Sequence, residues 1–187
     1  MSGNGKHNGA PRRLWRIGFA GGWRSWLRRA ILFAAVLAVL GGGVSWVTSN
    51  DAAFGCVQRA VAGATSCVLN VCRQGTSVQD GNTVASNRFA ISVVAACTGL
   101  FMTAVFVAAV LVYPSRWWAK LVGVGIGVFG LFALNVARLV CLFFVGTLLP
   151  RYVDQAHLLV LQSVLILGTL LLWLVWVEKV AHASINS

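Results

Sequence analysis

Apolar residues fill the stretches 31–47, 97–113, 119–140 and 158–177 almost without interruption. A helix needs about 20 apolar residues to cross a hydrocarbon core of ~30 Å, so each stretch is close to the length of a membrane span. The first, Ile31 to Val47, carries Gly41-Gly42-Gly43 near one end. The second runs from about Cys97 to Tyr113 and stops at Pro114, which cannot continue a helix. The third starts near Ala119, and apolar residues persist to Leu149. That is more than a straight span needs, so the excess is expected to tilt, project or turn along the surface. Pro150 to Ala156 reads as a short loop before the fourth span, Leu158 to Val177.

Residues 48–95 are more polar. Phe54, Val57, Val61, Ala64, Val68 and Val71 recur at three- and four-residue steps, the period of an amphipathic helix. Its other face (Gln58, Arg59, Thr65, Asn70, Arg73) is mildly polar, which suits a helix lying along the membrane surface. From Thr76 to Ile91 the chain turns β-favouring around Asp80-Gly81-Asn82, a short hairpin leading to Cys97. The pattern predicts an all-α integral membrane protein. Four transmembrane helices are expected, with an extracytoplasmic amphipathic helix and the hairpin between spans 1 and 2.

Composition agrees. The 187 residues are 58% hydrophobic and 10% charged, against roughly 25% charged in a soluble domain. The net charge of +11 does not point to nucleic acid, because Lys6, Arg12, Arg13, Arg16, Arg24, Arg28 and Arg29 all precede the first span. They read as a basic cytoplasmic segment over 1–29, an anchor that keeps positive charge inside and touches anionic lipid. Trp15, Trp23 and Trp26 suit the interface. A cleaved signal peptide is not expected, since no small-x-small site is convincing and further spans follow. Arg116 and Lys120, flanked by Trp117 and Trp118, and the pair Glu178-Lys179 mark the same inner side. Both termini are then cytoplasmic, in a bacterial inner membrane.

With these markers fixed, three reactive side chains emerge together at the opposite face. Cys97 to Arg116, Lys120 to Arg138 and His157 to Glu178 are separations of about 18–21 residues, or roughly 27–32 Å of helix. Cys97 stands in Ala-Ala-Cys97-Thr98-Gly99-Leu100 at a hairpin-to-helix junction. Helix N-terminal amides there favour a thiolate and could donate to an oxyanion. Arg138 costs at least ~2.5 kcal/mol inside an apolar stretch, so it needs a partner or a task. Asn135, three residues earlier, shares its helical face. A guanidinium remains charged and offers a planar fork of donors, which suits an oxyanion; snorkelling to the interface is the plainer role. His157 follows Asp154 by three residues, and that carboxylate could cap the helix or orient the imidazole.

The remaining motifs carry less. Gly125-Ile-Gly127-Val-Phe-Gly130 matches a dinucleotide fingerprint formally but lacks the preceding strand and the following acid. With Gly123 it reads as a stripe of small residues for close helix packing. Cys97 and His157 lack the clustered spacing of a zinc site, and no cofactor is expected. Cys56, Cys67 and Cys72 read as mostly unpaired, partly buried thiols. Cys141 reads as packing. His7 and His182 lie in tails and are uninvolved.

The ordered set Ala-Cys97-Thr-Gly-Leu, Asn135-x-x-Arg138 and His157 at the head of a last span resembles the exosortase/archaeosortase family, most closely its exosortase H branch. The resemblance covers about residues 50–180. It implies a membrane-embedded cysteine protease/transpeptidase with Cys97, Arg138 and His157 as its catalytic set. Asn135, Thr98 and Gly99 are expected to support it. It further implies as partners exported proteins that end in a short motif, a hydrophobic span and a basic tail. Thr98 stands where Ser or Asn is commoner, and Ala95-Ala96 where many members carry an acidic or glycine residue. The competing class is a non-enzymatic membrane scaffold or transporter subunit, in which Cys97 is replaceable.

The orientation is directly testable. A membrane-impermeant thiol reagent added to intact spheroplasts is expected to label Cys56, Cys67 or Cys72, which fall in the outer segment. Protection of all of them until lysis would overturn it.

Overall fold

A computed structural model describes residues 23–181 apart from Arg88, and describes no side chain for Arg24, Asp154, Ala156 or Leu158. The tail before Trp23, with Trp15 and most of the early basic residues, lies outside the described residues, as does His182.

Five apolar helices dominate. The first two, α1 (Trp23–Ser49) and α2 (Asp51–Val71), are joined at Asn50, whose side chain accepts from Ala53 N and caps α2. A three-stranded antiparallel meander follows: β1 (Ser77–Gln79), β2 (Thr83–Ala85) and β3 (Ala90–Ser92). A 3-10 turn over Ala95–Cys97 leads into α3 (Leu100–Val112), and α4 spans Trp117–Leu148. Beyond it come a 3-10 turn (Pro150–Tyr152), one α-helical turn, α5 (Val153–Gln155), and a π-helical stretch (Ala156–Leu161). The last helix is α6 (Gln162–Trp176), which ends in a second π-helical stretch (Val177–Ala181).

The chain is an all-α membrane protein in its class, and four helical segments are long and apolar enough to cross a bilayer: Ser25–Ser49, Asp51–Val71, Trp117–Leu148 and Leu159–Ala181. Membership of that set differs from the expected one. α2 qualifies, while the expected second span shrinks to the 13 residues of α3, about 20 Å of helix. The reason is local: Val94 is extended and Gly99 left-handed, so the chain before Leu100 cannot be α-helical.

α2 also buries a different face. Val61, Ala62, Thr65, Ser66 and Leu69 point inward, while Val68 and Val71 are 42% and 80% exposed. Two of its polar residues tie other segments to it. Asn70 Oδ1 accepts from Thr76 N at 2.7 Å, its Nδ2 donates to Thr76 O at 2.9 Å, and Gln58 Nε2 donates to Val93 O at 2.7 Å. α2 is therefore the scaffold to which the strand segment is tied. The expected hairpin is its first half; Asp80 and Gly81 both take positive φ at the turn, and Asn82 N donates back to Gln79 O.

Two apolar clusters mark the two ends of the bundle. One joins α2, the strands and the second half of α4 through Val61, Leu69, Val84, Val93, Cys97, Leu139 and Phe143. Of the outcomes expected for the apolar excess after Arg138, a turn along the surface is not what forms: α4 is uninterrupted to Leu148, and its later turns pack against the sheet segment, with Phe89 lying on Gly146. The other cluster joins Phe106, Val110, Leu131, Trp176 and Ala181. There Trp176 Nε1 donates to Ala119 O at 2.9 Å and Lys120 Nζ to Leu111 O at 2.6 Å, so the Arg116–Lys120 turn and the end of α6 share one end of the molecule.

The glycines of α4 permit this closeness. A Cβ on Gly123 would stand 2.6 Å from Trp176 Nε1, and one on Gly127 would overlap the Phe106 ring, whereas Gly125 has open space. Gly127→Ala is expected to destabilise the protein by about 1–3 kcal/mol through overpacking. Gly125→Ala should leave the thermal unfolding midpoint in detergent unchanged or slightly raised, since Ala favours helix.

Candidate active site

The fold brings the three reactive residues to one end, from three separate elements. Cys97 closes the 3-10 turn, Arg138 lies on α4, and His157 sits in the π-helical stretch before α6. Cys97 Sγ is 4.0 Å from His157 Nε2, across 60 residues of sequence. A cavity of about 330 Å³ adjoins them, with Arg138, His157, Gln162, Gly99, Met102 and Leu165 in its wall. Cys97 itself is 3% exposed and belongs to the apolar cluster behind that wall.

Local sequence explains how the thiol is held. Extended Val94 starts the turn, Cys97 N donates to Val94 O, and Thr98 N donates to Ala95 O. Thr98 Oγ1 donates to Ala95 O at 2.7 Å, so this residue, expected to support the site, closes the turn that carries Cys97. Gly99 then adopts φ +73 as the N-cap of α3, a conformation that favours glycine. A Cβ there would press within 3.1 Å of Asn135 Cγ. Asn135 is fully buried, and its Nδ2 donates to Cys97 O at 2.6 Å. Asn135 thus fixes the cysteine's carbonyl, and Gly99 provides the room for it to do so.

The amides of Cys97 and Thr98 are consumed by the turn and cannot serve an oxyanion. α3 starts three residues after the thiol, and its first i→i−4 bond is Thr103 N to Gly99 O. Strong donors are also offered by Arg138, which is 6% exposed and whose Nε and Nη1 have no hydrogen-bond partner among the described residues. A buried cation with unused donors beside a cavity is costly unless something there accepts from it.

Among the described residues no acidic side chain lines the cavity beside Arg138. The side chain of Asp154, expected to cap or to orient the imidazole, lies outside the described residues. The thiols at Cys56, Cys67 and Cys72 are free, as expected, but exposed and not partly buried; Cys141 is exposed as well, so it is no packing residue.

Two residues escaped sequence reasoning. Gln162 shares the cavity wall with His157. Their five-residue separation matches a π-helix, whose bonds run i→i+5, and hydropathy gives no sign of π-geometry. Gln58, read only as part of a mildly polar helix face, holds the strand end at Val93.

Asn135→Leu keeps the volume but leaves the Cys97 carbonyl unpaired inside the protein. It should cost about 1–3 kcal/mol, read as a lowered unfolding midpoint in detergent. Thr103→Val, which removes a partly exposed hydroxyl bonded to Gly99 O, should cost less.

Comparison of the chain with protein-family models, with curated proteins and with solved structures finds no match.

Proposed function

We propose that this protein is a membrane-embedded cysteine protease/transpeptidase of the exosortase type. It would act at the extracytoplasmic face of a bacterial inner membrane on exported proteins with a C-terminal motif, apolar span and basic tail. The observation that carries this reading is the approach of Cys97 Sγ to His157 Nε2 beside a cavity that Arg138 also lines.

The chemistry needs only these side chains. His157 Nε2 takes the Cys97 proton as Sγ attacks the scissile carbonyl carbon, forming the S–C bond. Arg138 stabilises the oxyanion with its Nε and Nη1 donors, which no other described residue uses. The C–N bond breaks as His157 returns the proton to the leaving amine. Water or an acceptor nucleophile then displaces the thiol from the acyl-enzyme. The sulfur and imidazole must close by about 0.5–1 Å from their resting separation; such bonds commonly tighten only in the complex.

Burial of Cys97 at 3% exposure favours the rival reading, a scaffold or transporter subunit in which the thiol merely packs. A reporter library separates the two: an exported protein followed by a randomised eight-residue segment, an apolar span and a Lys/Arg tail, co-expressed with the full chain. The protease reading expects release of some reporters in the wild type and none with Cys97→Ala, while Cys141→Ala retains most activity. Equal release with Cys97→Ala, or none with any protein, sinks it.

Arg138→Lys is the sharper probe. Lysine keeps the charge but lacks the planar fork. This variant should accumulate normally yet cut at least about 100-fold more slowly, with Cys97 still open to a small alkylating agent. Near-normal cutting would reduce Arg138 to an anchor.

A further inference from the structure

β3 is an edge strand, and its free side is set by the register. Val93 N donates to Asn82 O and Ser86 N donates to Phe89 O, so the hydrogen-bonded pairs with β2 fall at 93, 91 and 89. In an antiparallel ladder the intervening residues turn their backbone groups the other way. Ala90 and Ser92 therefore aim N–H and C=O away from the sheet. Among the described residues neither has a backbone partner there, and both are exposed.

The extended conformation continues through Val94, and the next residues, Ala95 and Ala96, form part of the cavity wall. The segment from Ala90 to Ala96, exposed at Ala90, Ser92, Val94, Ala95 and Ala96, thus runs directly into the space beside Cys97. β1 has a free edge too, but its strand leads back to α2 and away from the thiol. An open strand edge cannot lie in hydrocarbon, where its groups would go unsatisfied. The β3 edge faces water or a polypeptide.

We infer that the free edge of β3 receives the substrate's extended segment as a fourth strand, delivering its scissile carbonyl to Cys97. The inference rests on the protease reading and adds a recognition mode: main-chain bonds to Ala90 and Ser92 would give affinity independent of side-chain identity. Ala95 and Ala96, lacking bulk, leave the path to the cavity open. Beyond Val94 the pairing must stop, because Val94 O is already taken by Cys97 N. That stop sets the register of the incoming chain.

The test uses the full-length protein in nanodiscs and a synthetic peptide carrying the eight-residue segment of a cut library reporter. Single backbone N-methylations are placed along the peptide on the side that docks. Alternate positions should slow cleavage about three- to tenfold each, the value of a lost main-chain bond, and the intervening ones should not. Ala90→Pro removes an outward N–H at a place where an edge strand tolerates proline, and should raise KM by a similar factor with an unchanged unfolding midpoint. Val78→Pro, the matching change on the free edge of β1, should leave KM unchanged. Cut reporters that show no alternation, or a normal KM for folded Ala90→Pro, overturn strand addition alone. If no reporter is cut at all, the protease reading fails and this inference fails with it.

Discussion

Backbone that is neither helix nor barrel strand is hard to place at a membrane, because each unpaired N–H or C=O needs a partner that lipid cannot supply. The segment from Thr76 to Gly99 is such backbone, and the rest of the protein is arranged to satisfy it. Asn70 takes both ends of Thr76, Gln58 takes Val93 O, and Asn135 takes Cys97 O. Three amide side chains on two helices thereby hold the irregular segment that carries the thiol. Remove one, and a buried carbonyl or amide is orphaned at a cost of about 1–3 kcal/mol.

The same constraint explains which parts of the structure the sequence disclosed. The apolar runs over α1, α4 and α6 are long and uniform, so length alone identifies them. The role of α2 was obscured because its inward face mixes Thr65 and Ser66 with Val61 and Leu69. Thr65 Oγ1 donates to Val61 O, and Ser66 Oγ meets Thr76, so these hydroxyls are satisfied inside. Periodicity counts such residues as polar and rotates the predicted face. Cys97, Arg138 and His157 were legible as a set because charge markers on the far side fixed their depth. What surrounds them was not. The left-handed Gly99, the Asn135 bond and the π-helical register of His157 and Gln162 depend on contacts between segments distant in the chain.

The site divides its tasks between stiff and adaptable parts. Arg138 and Asn135 lie three residues apart on one long helix that packs at both ends of the molecule. Their relative position is therefore rigid. His157 comes from a π-helical stretch flanked by short turns, a geometry frequent at functional sites. On the proposed mechanism, the residue that approaches the sulfur is carried by the less regular element, and Asn135, which holds the Cys97 carbonyl, by the longest one.

α4 also acts as a ruler. From Lys120, tied to the far end through Leu111, to Arg138 is about 27 Å of uninterrupted helix. A bilayer near that thickness leaves the guanidinium at its polar boundary. A thicker one draws it into hydrocarbon or forces the bundle to tilt, at a fraction of a kcal/mol for each ångström of mismatch. Acyl-chain length in the surrounding lipid thus becomes a quantity to which the charge beside Cys97 responds, with no lipid needing to bind near the thiol.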